Sequence, residues 1–197
     1  MERIAILGPL TALLLAGCGL ISSPPINNPF GLEGKQSTFT LGPSAQVEGR
    51  TTVGATFDNL QNLNLPATPT GFTFNPSIAK IDFGDDCPKP LPSSIQVTLD
   101  ATATVSDTDA QNNPRSATAS VRGASFTVSV SGGAVSVGSI YNGSMTFSDL
   151  NTLLNILKNG SSNTATLEAT LTTQSIPDLE GCTLTVTWGG GTGTIKF

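Results

Sequence analysis

The stretch Ile95-Gln96-Val97-Thr98-Leu99-Asp100-Ala101-Thr102-Ala103-Thr104-Val105-Ser106 decides the fold of this chain. Ile95, Val97, Leu99, Ala101, Ala103 and Val105 fall on one side of an extended backbone, and Gln96, Thr98, Asp100, Thr102, Thr104 and Ser106 on the other. Strict period two predicts a long β-strand with one buried and one wet face, the signature of an antiparallel sheet. Downstream, Ala117, Ala119 and Val121 keep the apolar set on odd positions, whereas Phe126, Val128 and Val130 carry it on even ones. The switch falls at Arg122-Gly123, and a one-residue phase change at a glycine marks a bulge or a tight turn. Ser131-Gly132-Gly133 then reads as a hairpin turn into Val135 and Val137.

The same alternation extends in both directions. Phe39 and Leu41 alternate with threonines, and Ala45, Val47, Val53, Ala55 and Phe57 share one face, with Gly49 and Gly54 as bend or bulge points. Residues 58–76 form a Pro/Asn-rich connection with a short strand at Phe72–Phe74, after which Ile78, Ile81 and Phe83 return the chain to the core. Leu150, Leu153, Leu154 and Leu157 follow helical spacing, with Ser148 as the expected N-cap, Lys158 in the last turn and Gly160 just beyond. Ala165, Leu167, Ala169 and Leu171 share the face of another strand, then Cys182, Leu184, Val186 and Trp188, and Gly189–Gly191 turn into a short terminal strand. Eight to ten antiparallel strands with one short helix predict an all-β protein, an antiparallel β-sandwich spanning residues 36–197.

The amino-terminal end follows different chemistry. Arg3 gives a thin positive region, partly cancelled by Glu2, and Ile4–Leu15 is an apolar run of about twelve residues, short of the ~20 that span a bilayer. Leu15-Ala16-Gly17-Cys18 closes it. This ending resembles the lipobox of bacterial envelope lipoproteins: a leucine, two small residues, then the cysteine. The resemblance implies a signal peptide over residues 1–17, a diacylglyceryl lipid on the Cys18 thiol, and attachment to a membrane through that lipid. Gly19, rather than Asp, implies sorting to the outer membrane in a cell that has one. It covers the signal alone and names no family for the mature domain. Residues 18–35, rich in proline and asparagine (Ser22-Ser23-Pro24-Pro25-Ile26-Asn27-Asn28-Pro29), read as the lipidated N-terminus and a flexible tether.

Composition narrows the function classes. The net charge of −5 and pI near 4.5 exclude a phosphate backbone as partner, so nucleic acid is not expected. The chain has no histidine, which removes His-based catalytic dyads and triads and the usual zinc and copper sites. With Cys18 lipidated, Cys87 and Cys182 remain as an even pair in an oxidising compartment, and a disulfide between them is expected, two buried free thiols being the alternative. No Gly-x-Ser-x-Gly elbow occurs.

Acidic residues gather in two places. Asp82-Phe83-Gly84-Asp85-Asp86 precedes Cys87, and Asp107-Thr108-Asp109-Ala110-Gln111-Asn112-Asn113 lies between strands. Calcium takes six to eight oxygens from such loops, so Asp82, Asp85 and Asp86 are candidate ligands, although neither cluster matches an EF-hand and a solvated turn explains both. A carboxylate pair for glycoside hydrolysis would need two facing acids in a cleft. Gly189-Gly190-Gly191-Thr192-Gly193 has no helix after it and reads as a turn rather than a phosphate loop. A membrane-spanning barrel would need large apolar side chains and aromatic girdles, and the chain has one Trp and one Tyr.

These readings converge on a non-enzymatic, lipid-anchored accessory or structural subunit of a bacterial envelope assembly, working through protein contacts at exposed strand edges. The alternative is a ligand-binding lipoprotein for calcium, a glycan or a small hydrophobic molecule, with a pocket lined by Phe72, Phe74 and Tyr141 beside the Asp82–Asp86 loop.

Overall fold

The computed structural model describes residues 22–42, 50–57, 67–159, 163–173 and 179–197. The lipobox with Cys18, the expected inward residues Ala45 and Val47, Gly49, residues 58–66 of the Pro/Asn-rich connection, and Gly160 lie outside the described residues.

The described chain is all-β with a single helix. In order it forms β1 (Ile26–Asn27), β2 (Gln36–Thr40), β3 (Arg50–Thr56), β4 (Gly71–Asn75), β5 (Ile78–Phe83), β6 (Ser94–Thr108), β7 (Pro114–Ser131), β8 (Ala134–Val137), β9 (Met145–Thr146), α1 (Leu150–Asn159), β10 (Thr164–Thr173), β11 (Thr183–Trp188) and β12 (Thr192–Lys196). Every strand pair is antiparallel, in three sheets ordered β3-β10-β6-β7-β8, β2-β11-β5 and β1-β12-β4-β9. The pairing is nested: β1 joins β12, β2 joins β11 and β3 joins β10. The first two sheets also meet at both sides, β2 against β3 and β5 against β8. Thr51 crosses one of these seams by donating its hydroxyl to the Thr38 carbonyl at 2.8 Å.

The alternation read from Ile95 to Ser106 is the spine of the largest sheet. In β6 the six apolar residues are buried and their neighbours face water. The phase change at Arg122-Gly123 is a bulge within one continuous β7: Leu99 pairs with Ala124 but Ala101 pairs with Val121. Gly123 adopts φ +67°, which an L side chain resists, and its N–H donates to the Asp100 carboxylate at 2.7 Å. Gly132 and Gly133, both at positive φ, form the two-residue turn between Ser131 and Ala134. Gly54 is not a bulge, because β3 keeps its register with β10 straight through it.

Two local expectations are corrected. Asp149, not Ser148, caps the helix. Its carboxylate accepts the Thr152 N–H at 2.9 Å and the Thr152 hydroxyl at 2.7 Å, while its backbone carbonyl accepts the Leu153 N–H at 3.1 Å. The helix then buries Leu153, Ile156 and Leu157 on its packed side, against β6 and β7.

The second correction concerns the tether. From Ser22 onward it is part of the domain. Ser22 bridges to Lys196, the Ser23 N–H donates to the Ile195 carbonyl at 2.8 Å, and β1 pairs with Gly193 and Thr192. The prolines do not prevent this, because an edge strand needs hydrogen bonds on one side only. Phe30 and Leu32 follow at 0% and 2% exposure. Phe30 centres an aromatic cluster, with ring centroids 4.8 Å from Phe74, 5.6 Å from Phe147, 5.8 Å from Phe57 and 5.9 Å from Phe72. Each such pair adds about 0.5–1.5 kcal/mol beyond simple burial.

Candidate functional site

The acidic loop after β5 is a structural clasp. Its chain turns at Gly84, whose N–H donates to the Thr183 carbonyl at 2.8 Å. Asp86 answers by accepting the Thr183 hydroxyl at 2.6 Å and the Thr183 N–H at 3.2 Å, and these bonds hold its carboxyl below the usual aspartate range. Beside it the sulfurs of Cys87 and Cys182 are 1.99 Å apart, at disulfide distance, which ties this loop to β11 across 95 residues of chain. The other two candidate calcium ligands turn to lysines: Asp82 lies 2.6 Å from Lys80, and Asp85 lies 3.5 Å from Lys89. Asp82, Asp85 and Asp86 therefore each hold a separate partner, and among the described residues no group of three or more acids or cysteines is placed to hold a metal.

The second acidic cluster forms the tip of the β6–β7 hairpin. Asp107 is buried and accepts both the Nε (2.9 Å) and Nη2 (2.5 Å) of Arg115, a bidentate pair that raises the guanidinium's affinity for its proton. Asp109 accepts the N–H groups of Gln111 and Asn113 and the Asn113 amide, and the Asn113 bonds lead in lowering its pKa. This is the turn chemistry that Asp and Asn perform on their own backbone.

Phe72 and Phe74 do not line a pocket. Both are fully buried around Phe30, while Tyr141 stands 70% exposed with its backbone paired to Ser125. Trp188 is a core residue, its indole N–H satisfied by the Ser37 hydroxyl at 2.9 Å.

An opening lies elsewhere, where β1, β4, β5 and β12 meet the segment after β8. It is an open cleft of about 620 Å³. Asn27, Asn28, Asn75 and Ser77 supply amides and a hydroxyl, Ile78 and Ile140 supply apolar surface, and Glu33 is its one carboxylate. Its wall is tightly built. Gly191 sits at φ +77°, and a Cβ there would lie within 2.3 Å of the Asn75 carbonyl oxygen, so only glycine fits. Its N–H donates to the Ser77 hydroxyl at 3.0 Å, and Asn28 accepts the Glu33 N–H at 3.1 Å. A second, shallower opening of about 300 Å³ lies on the outer face of the large sheet, with Asp100, Glu168 and Arg122 around hydroxyls of Thr102, Ser120 and Thr170. Asp100 is exposed and Glu168 half-buried.

The cleft was not legible as a site in the sequence. Gly189–Gly191 read as a turn, which it is, and the run of asparagines around Pro29 and Pro76 read as loop. The available signal was the recurrence of Asn-Pro at both, Asn28-Pro29 and Asn75-Pro76, residue types that shape a wall from backbone rather than from large side chains. No protein-family model matches the chain, and no curated protein aligns with it significantly.

Proposed function

We propose that this chain is a lipid-anchored domain of a bacterial envelope, held in the outer membrane by Cys18, that works by binding a partner protein rather than by catalysis. The observation that carries this reading is the employment of its ionisable side chains. Asp86, Asp107, Asp109 and Asp149 each close a clasp, a hairpin tip or a helix cap. The cleft, by contrast, is walled by amides, hydroxyls and backbone with a single carboxylate, a surface suited to recognition. Partner addition at a long strand edge is less favoured than the cleft. The edges of the five-stranded and three-stranded sheets abut one another, and β1 and β9 at the edges of the four-stranded sheet are two residues each.

The test is a mild-detergent purification of the full-length lipidated chain from its own membranes, with a cleft-filling Ser139→Trp variant alongside. A stoichiometric partner kept by the parent and lost by the variant supports the reading. A partner kept equally by both moves the contact away from the cleft, and a clean monomer overturns the subunit role. A second reading, a neutral glycan in the cleft, is favoured by the mixture of amides with Ile78 and Ile140. Calorimetric titration of the monomer with oligosaccharides distinguishes it.

A further inference from the structure

We infer that the domain sits directly on the lipid surface, its Ser22–Lys196 end against the headgroups and its cleft end turned away; this rests on lipidation of Cys18. The pairing of the supposed tether dictates the distance. Four residue steps separate Cys18 from Ser22, a reach of at most about 14 Å, whereas a free chain to residue 35 would reach about 60 Å. Ser22 is already fixed to the domain, through its bridge to Lys196 and the Ser23 bonds to Ile195 in both directions, N–H to carbonyl at 2.8 Å and hydroxyl from N–H at 3.0 Å.

Strand polarity supplies the orientation. β1 runs from the Lys196 end of β12 toward Thr192, and β4 runs alongside from Gly71, opposite Lys196, to Asn75, opposite Thr192. The cleft residues Asn27, Asn28, Asn75 and Thr192 all lie at the second end, about 13 Å along β12 at ~3.3 Å per residue. Charge agrees with this polarity. Ser22, Thr70, Gly71 and Lys196, which meet at the first end, include an exposed ammonium and no acid, while Glu33 lies at the cleft. Anionic headgroups attract the former and repel the latter.

The test places a nitroxide at Lys196→Cys or at Ser139→Cys in the full lipidated chain, reconstituted into vesicles of phosphatidylethanolamine and phosphatidylglycerol. The vesicles carry a nickel-chelating lipid as relaxer. Relaxation at position 196 is expected to exceed that at 139 several-fold, and to drop toward it when a Gly/Ser spacer is inserted between Ile21 and Ser22. Equal relaxation at both positions in vesicle-bound protein overturns the orientation while leaving the anchor intact. Failure of the parent to co-sediment with membranes, with Cys18→Ala behaving identically, overturns the anchor and the orientation together.

Discussion

Thr183 and Asp86 are joined twice, the Thr183 hydroxyl and N–H both donating to one carboxylate at 2.6 and 3.2 Å. The two residues belong to segments 97 positions apart, and each adjoins a cysteine of the Cys87–Cys182 pair. The clasp therefore holds the loop in place beside the sulfurs. Asp86→Ala is expected to leave the fold intact but to speed reduction of the disulfide by dithiothreitol. The measurement is the rate of thiol release, with Asp82→Ala as the control that leaves the rate unchanged.

Removing both cysteines tests the covalent link itself. A closed loop of this size constrains the unfolded chain strongly, and losing such a bond from a secreted domain costs about 2–5 kcal/mol. The Cys87→Ala/Cys182→Ala double variant should show that loss in urea unfolding with Cys18 left unchanged. A loss near zero would mean that the 95-residue separation does not constrain the unfolded ensemble.

Phe30 distinguishes a tether from a structural segment. Were residues 22–35 a free linker, Phe30→Ala would be neutral. Buried among four other phenylalanines, it should instead cost about 3–5 kcal/mol. Equilibrium denaturation reads the difference directly.

Acid should weaken the domain in a definite window. Asp86, Asp109 and Asp149 all have carboxyls held below their ordinary range by hydrogen bonds, from Thr183, Asn113 and Thr152 respectively. Their stabilisation is fully present above the unfolded-state aspartate pKa, about 3.9. As pH falls below that value the unfolded chain takes up protons first, and the contribution is lost as pH drops through the folded-state values. Thermal melts stepped downward from pH 5 should show the fall, and the triple Asn variant should show a shallower one.

The strands were legible because burial on one face leaves a period of two in the sequence, as from Ile95 to Ser106. The bulge at Gly123 was legible for the same reason, since an inserted residue must flip the phase. What the sequence concealed was long-range. Ile26 and Phe30 sit among prolines in a stretch with too few apolar residues to show a period. Their place is set by β12 some 165 residues later, which no local pattern records. The helix cap was missed by one residue because Ser148 and Asp149 are both good caps, and position relative to Thr152 decides between them. The acidic loop was read for its charges. The neighbours that use those charges, Thr183, Lys80 and Lys89, come from the fold as much as from adjacent positions.

The nested pairing has a consequence for how the protein is made. Synthesis from the amino-terminal end delivers β1, β2 and β3 first, yet their partners β12, β11 and β10 arrive last. The early strands have no hydrogen-bonding mates until almost the whole chain has been made, so the three nested pairs cannot close early. The same arrangement requires closure of very large loops, which slows folding and leaves strand edges open meanwhile.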